Sequence, residues 1–219
     1  MPGYEVISKR QHGALLLAVL LMLLCVTVLG MAMLDGAGLE LRMVRNMHAT
    51  QQAFAVADQA LASIGQDLAQ PDYFPEQSFT DDCVTQCFSN TCMQGLCFFG
   101  SDAASRESCL LNGSMHAPYT DSRLWRAGNR HRTLELTASE FSVRYLVEFR
   151  CYAANESTEQ LIPEDQARLY RITVFADGGV EQSRVMLRGT VRERKMDDVG
   201  QATRWLSWQY LPVPFQRSR

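Results

Sequence analysis

The chain lacks most of what catalysis is built from. Its four histidines, His12, His48, His116 and His131, show no metal-ligand spacing with one another or with an acid. There is no Gly-rich loop to cradle a phosphate and no G-x-S-x-G elbow, so nucleotide chemistry and the common serine hydrolase chemistry have no residues to carry them. Serines and aspartates abound between positions 71 and 132, but composition alone makes no triad. The expectation is a protein that is not an enzyme and has no cofactor. An excess of basic charge is also missing: 21 Lys plus Arg stand against 24 Asp plus Glu, a net charge of -3. Bulk charge therefore gives no reason to expect nucleic acid as a partner. Arg184, Arg188, Arg192, Arg194 and Lys195 do crowd one stretch, which reads as a solvated or intersubunit strand face.

Charge is absent altogether from one stretch. Between Ala14 and Leu34 no side chain is charged and only Thr27 is polar, which is enough helix to cross a bilayer core at about 20 residues per span. A cleaved secretory signal has an apolar core of about 7–15 residues and then polar mature protein. Here a helical pattern runs on well past the apolar part. The preceding residues, MPGYEVISKRQHG, are mostly polar and place Lys9 and Arg10 beside the membrane, so the positive-inside rule keeps the N-terminus cytoplasmic and exports the rest. Arg42 and Arg45, just behind the span, offset part of that bias.

Seven cysteines divide into one and six. Cys25 sits in the apolar span as a small hydrophobe. The other six, Cys83, Cys87, Cys92, Cys97, Cys109 and Cys151, lie on the exported side and are disulfide candidates, with their pairing left open. Each bridge is worth about 2–4 kcal/mol through its constraint on the unfolded chain. The run C-x3-C-x4-C-x4-C from Cys83 to Cys97 lacks the paired C-x-x-C knuckles of structural zinc sites, so no metal is expected.

After the span comes Asp35-Gly36-Ala37-Gly38, whose glycines make it the softest point of a helix expected from about Ala14 to about Ala69. Val44, Met47, Phe54, Ala57, Leu61, Ile64 and Leu68 then recur every three or four residues as one apolar stripe, with Gln51 the polar gap. Glu40, Arg45, Gln52, Asp58, Gln66 and Asp67 take the other sides. Pro71 ends the helix. The stripe needs a surface to bury it, and a sheet of the same chain is the economical answer.

From Pro71 to about Arg132 no period persists. Turns at Pro71-Asp72, Gly100-Ser101-Asp102 and Asn112-Gly113-Ser114, and a small apolar group at Leu96, Phe98 and Phe99, read as a disulfide-stapled loop with short strands. The C-terminal half reads as sheet. Phe141 to Cys151 alternates with period two, Leu146 being the one exception. Leu169 to Ala176 and Ser183 to Arg192 follow around an Asp177-Gly178-Gly179 turn, and Thr133 to Thr137 adds a short strand. An antiparallel sheet with one polar face is expected. The tail carries Trp205, Leu206, Trp208, Tyr210, Leu211, Val213 and Phe215, with Pro212 and Pro214 confining it to an edge. These aromatics suit packing on the sheet or a contact with another subunit.

A basic leader ending in Gly against a long apolar helix resembles a type IV prepilin. In that family a peptidase cuts after the Gly and methylates the new N-terminal amine, which implies processing between Gly13 and Ala14. Most pilins carry Glu at the fifth position after the cut, where this chain has Ala18. The PilX-type minor pilins resemble it more closely, sharing the leader and an apolar start without the Glu. Leu39-Glu40-Leu41-Arg42-Met43-Val44-Arg45-Asn46-Met47 and Ala53-Phe54-Ala55-Val56-Ala57-Asp58-Gln59-Ala60-Leu61 are similar to that family's helix motifs. Arg144-Tyr145-Leu146-Val147-Glu148 and Tyr170-Arg171-Ile172-Thr173 resemble its strand signatures.

The resemblance implies an α+β pilin-like fold, with a long N-terminal helix packed on a C-terminal antiparallel β-sheet. It divides the chain into leader 1–13, transmembrane helix 14–34, amphipathic helix 35–70, cysteine-rich loops 71–132, and sheet with tail 133–219. It implies a minor pilin of the inner membrane and pilus that assembles with other minor pilins and the major pilin after prepilin peptidase acts. It also implies that the glycine stretch unwinds locally in a filament and that residues 71–132 form an exposed, variable region. A type II secretion minor pseudopilin and a membrane-anchored exported binding protein are the alternatives.

Overall fold

The structure, a computed structural model, describes residues 12–70, 73–80, 82–100, 117–136, 140–153, 167–179, 183–196 and 200–214. It is mixed α+β. The elements are α1 (His12–Asp67), β1 (Leu96–Cys97), α2 (Ser122–Arg126), β2 (Arg132–Leu134), β3 (Ser142–Ala153), β4 (Ala167–Asp177), β5 (Arg184–Met196) and β6 (Gly200–Leu211). The chain divides into two units between Met47 and His48.

In the first unit, Ala14–Met31 is long and apolar enough to cross a membrane, and none of it is buried against protein. Leucine, valine and methionine side chains face outward on every side of the helix. Thr27 is satisfied locally, donating its hydroxyl to the Leu24 carbonyl at 2.8 Å. Asp35-Gly36-Ala37-Gly38 falls inside α1. Val44 and Met47, expected to start the buried stripe, are exposed.

In the second unit the helix buries Ala53, Ala57, Ala60, Leu61 and Ile64, with Leu68 just beyond its end. The spacing is the expected one, but the face is rotated. Two alanines replace Val44 and Met47 in it, and Phe54 lies at its rim. This face packs on Val143, Tyr145, Val147 and Phe149 of β3, Tyr170, Ile172, Val174 and Ala176 of β4, and Val185, Leu187 and Val191 of β5.

The sheet has six strands in the order β1-β3-β4-β5-β6, with β2 also paired to β3. The antiparallel expectation needs correction. β1 joins β3 in parallel, with Leu96 opposite Val147 and Cys97 opposite Glu148, and the sheet is mixed. A parallel neighbour requires a crossover rather than a tight hairpin. The chain between β1 and β3 supplies it, laying α2 and β2 on the way. The other pairings are antiparallel.

A second correction concerns the polar face. Leu146, Phe175, Met186 and Leu211 form an apolar patch on the side away from α1, where Leu124 and Trp125 of α2 cover it together with Cys92, Cys97 and Val213. Leu146, the exception to the alternation of β3, marks this second core. A third correction concerns the stretch between helix and sheet. Phe74, Phe79, Phe88, Leu96 and Phe98 are buried in the main core. Phe79 stacks on Phe88 with centroids 5.0 Å apart and meets Phe149 edge-on at 5.0 Å. These residues are core, not surface.

Strand β6 shows how the sheet edge meets the helix. Ser207 lies opposite Thr190 and Trp205 opposite Val191, so the register slips by one residue at Leu206. Such a bulge re-aims side chains. Here it turns both Trp205 and Trp208 toward α1. The Trp205 indole fills the space above Gly65 of α1 and Gly189 of β5, where an added Cβ would collide with it. Trp208 meets Phe54 edge-on, centroids 5.5 Å apart. Replacing Gly189 by Ala is therefore expected to cost about 1–3 kcal/mol by overpacking, read as a lower urea midpoint. Trp205→Leu in the same chain should recover part of it. An unchanged midpoint in Gly189→Ala would show that the indole is not clamped there.

Candidate functional site

Gly13 and Ala14 fall in the first turn of α1. Ala14 and Ala18 are both exposed. The cysteines resolve into two described bridges, Cys83–Cys87 with Cα atoms 5.6 Å apart and Cys92–Cys97 at 4.2 Å. Cys151 is also disulfide-bonded. Cys109 lies outside the described residues, and Cys25 is a free, exposed thiol. The bridges fit an oxidising, non-cytoplasmic setting for this part of the chain.

The two described bridges do different work. Cys83–Cys87 closes a short surface loop whose Val84 is 91% exposed. Cys92–Cys97 is fully buried beside Trp125 and ties the turn at Cys92 to β1. Cys92 takes a left-handed backbone conformation, φ 54°, which an L residue adopts only when its surroundings hold it there. Arg130 helps hold the turn, donating from Nε and Nη2 to the Thr91 carbonyl at 2.8 and 2.6 Å.

On the α2 side of the sheet lies a charged cluster. Glu148 is 2% exposed. Its Oε1 accepts from Arg150 Nη1 at 2.6 Å, while Arg171 Nη1 stands 3.7 Å from its Oε2. Arg188, 7% exposed, donates from Nε to Thr173 Oγ1 at 3.3 Å, and its Nη2 is buried without a hydrogen-bond partner. The Arg188 guanidinium carbon sits 4.1 Å from the centroid of the Tyr119 ring, a cation–π distance. Tyr119 is held in turn by Trp125, whose indole N–H donates to the Tyr119 carbonyl at 2.9 Å.

Burial pulls the Arg188 pKa down to about 10, and the neighbouring Arg171 charge pulls the same way against Glu148. Arg171 is lowered too, by burial first, with Glu148 opposing. Both stay cationic at neutral pH. The basic stretch of β5 is thus not simply a solvated face: Arg188 is buried in this cluster, and Arg184 pairs with Asp177 at 3.0 Å.

A second polar group sits in the main core. Arg168 and Glu193 face each other across β4 and β5. Arg168 pairs with Glu76 and lies 4.7 Å over the Phe79 ring. Burial pushes the Glu193 carboxyl above the ordinary glutamate value, and Arg168 pulls it partly back. Near β6, Asp58, Leu61, Ala62, Trp205, Leu206, Ser207 and Trp208 line an open groove of about 370 Å³.

The cysteines and the Gly13-Ala14 pair stand out in the sequence, whereas the arginine cluster does not. Its only signal is an acid, Glu148, and three arginines at alternating positions of the neighbouring strands β3, β4 and β5, a pattern equally typical of a wet face. No protein-family model, curated protein or solved structure matches the chain.

Two measurements follow. Peptide mapping without reductant should return Cys83–Cys87 and Cys92–Cys97 with Cys151 blocked. Replacing Cys92 and Cys97 by Ala should lower stability by about 2–5 kcal/mol, against a much smaller loss for the Cys83 and Cys87 pair. Equal losses would show that the buried bridge does not brace α2 and β1.

For Glu193 the raised folded-state value means that the native state binds the proton more tightly than the unfolded chain. Its contribution is fully present below the ordinary glutamate value and is lost as pH rises through the raised one. Glu193→Gln should abolish that part of the decline. An identical pH dependence of the urea midpoint in variant and parent would refute it.

Proposed function

We propose that this chain is a minor pilin of the PilX type, stored as a single-span inner-membrane protein and acting in type IV pilus assembly. On this reading the fold is pilin-like, the N-terminus is cytoplasmic, and the disulfide-bonded domain is periplasmic until it is incorporated. Its partners are the prepilin peptidase, other minor pilins and the major pilin. One observation carries the reading. A basic leader ends at Gly13 against an apolar helix, and the same α1 that supplies Ala14–Met31 supplies Ala53–Ile64 to the core of a disulfide-bonded α+β domain. A simple signal or anchor has no need to enter the core it precedes.

Ala18 supports a position at the start of the filament. An acidic side chain at this depth costs on the order of 2.5–3.5 kcal/mol in the bilayer on insertion scales. The pilin Glu recovers that cost when it meets the charged amine of a neighbouring subunit. Ala18 has nothing to offer such an amine, so the subunit suits the start of assembly, at or near the tip and in low copy number.

Two tests separate the parts of this reading. N-terminal analysis of protein from piliated cells should find a methylated N-terminus at Ala14. A chain still beginning at Met1, where other prepilins are processed, would rule out the family assignment. Deletion should abolish most surface pili, and Ala18→Glu should let the labelled protein spread into the shaft. Even labelling of the unaltered protein along the shaft would contradict the tip position.

A further inference from the structure

We propose that the groove between the C-terminal part of α1 and β6 binds a small quaternary ammonium ion of the choline class. The groove is aromatic and acidic at once. Trp205 is wedged by its six-membered ring against Gly65 and Gly189 and still keeps 41% of its surface exposed, so one wall is held in place by the fold. Trp208, 48% exposed, is the second wall, steadied by the edge-on contact with Phe54. Phe54, Asp58 and Ala62 follow at intervals of four on α1 and share a face. Ala62 is short and leaves the space, and Asp58 brings a carboxylate to the same groove as the two indoles.

The charge here is of one sign. Asp58 is the groove's single charged lining residue, and among the described residues it forms no ion pair. Its neighbours one turn along α1, Phe54, Ala55, Leu61 and Ala62, are all uncharged. The one cation of β6, Arg204, comes between Thr203 and Trp205. Both of those face α1, Thr203 with its hydroxyl 3.5 Å from the Gly65 carbonyl, so the alternation of the strand puts Arg204 on the other face. Indole rings attract a cation through their quadrupole, and the unpaired carboxylate acts in the same direction.

Hydrogen bonding decides which cation fits. An ammonium brings three N–H donors and a guanidinium five, whereas the side-chain acceptors in the groove are the Asp58 carboxylate and the Ser207 hydroxyl. A quaternary ammonium presents methyl groups and asks for no acceptor. Those methyls also match the apolar lining of Leu61, Ala62 and Leu206. No basic side chain lines the groove to meet a phosphate, which favours the free cation over a phosphocholine headgroup. The volume of about 370 Å³ is at the small end for ligand sites, as a ligand of this size requires. The proposal rests on this groove alone and stands or fails separately from the pilus reading.

The test is equilibrium dialysis of the full-length chain in dodecyl maltoside against radiolabelled choline, at an ionic strength held constant with sodium chloride. Binding should saturate at one choline per chain and be displaced by tetramethylammonium. The uncharged isostere 3,3-dimethylbutan-1-ol and phosphocholine should each need at least about tenfold more to displace it, the loss of the cation in one case and repulsion from Asp58 in the other. Asp58→Asn, an exposed change, should weaken choline about tenfold, and Trp208→Leu should abolish saturation. Should Trp208→Leu fail to fold, Trp208→Phe keeps a ring of weaker attraction and should bind more weakly than the parent. Displacement by the isostere as readily as by tetramethylammonium overturns the proposal, because the groove would then read shape without charge. Equal displacement by arginine amide or by phosphocholine overturns it too, as does an Asp58→Asn chain that binds like the parent.

Discussion

Everything in the second unit depends on how closely one helix face can approach the sheet. That face is made of small residues: Ala53, Ala57 and Ala60 are all fully buried, and Gly65 lies under the Trp205 ring. Small side chains let the helix backbone sit low on the sheet. The larger Leu61, Ile64 and Leu68 then interdigitate with β3, β4 and β5 at the density of a protein interior. At about 25 cal/mol per Å² of apolar surface, this contact is the main term holding helix and sheet together. The aromatic wedge of Phe74, Phe79 and Phe88 closes its far end against Phe149 and Tyr170.

The same close approach explains what was legible in the sequence. Period two in β3, the turn after Asp177 and the recurrence of Leu61, Ile64 and Leu68 are local signals, and local signals survive in one dimension. The direction of β1 does not, because two residues, Leu96 and Cys97, carry no information about which way their neighbour runs. Periodicity alone puts Val44 and Met47 in the buried stripe, because it cannot tell where a stripe stops having a partner. Phe74, Phe79 and Phe88 show no period, yet they supply much of the core, since an irregular segment can bury side chains wherever its turns point them.

The candidate site was less legible for a different reason. Charged residues alternating along strands describe a wet face, and on this sheet they do so for Arg204 of β6. Glu148 and Arg188 obey the same pattern but are buried, because α2 and the Cys92–Cys97 bridge cover that face with Leu124 and Trp125. What distinguishes an ion pair in water from one under cover is a tertiary fact, set by a five-residue helix and the turn carrying Tyr119.

The bulge at Leu206 has a consequence for how this molecule tolerates crowding. A long edge strand with half-exposed tryptophans is ordinarily a template for adding further strands. Here the template is spoiled at three places along β6 and its exit: the register slip at Leu206, the exposed Arg204 beside it, and Pro212, which has no amide proton to lend to a ladder. An incoming strand would find no uninterrupted run of matching backbone groups. The aromatic surface can thus stay open to a shaped partner while remaining closed to indiscriminate sheet growth, even where many copies are held side by side.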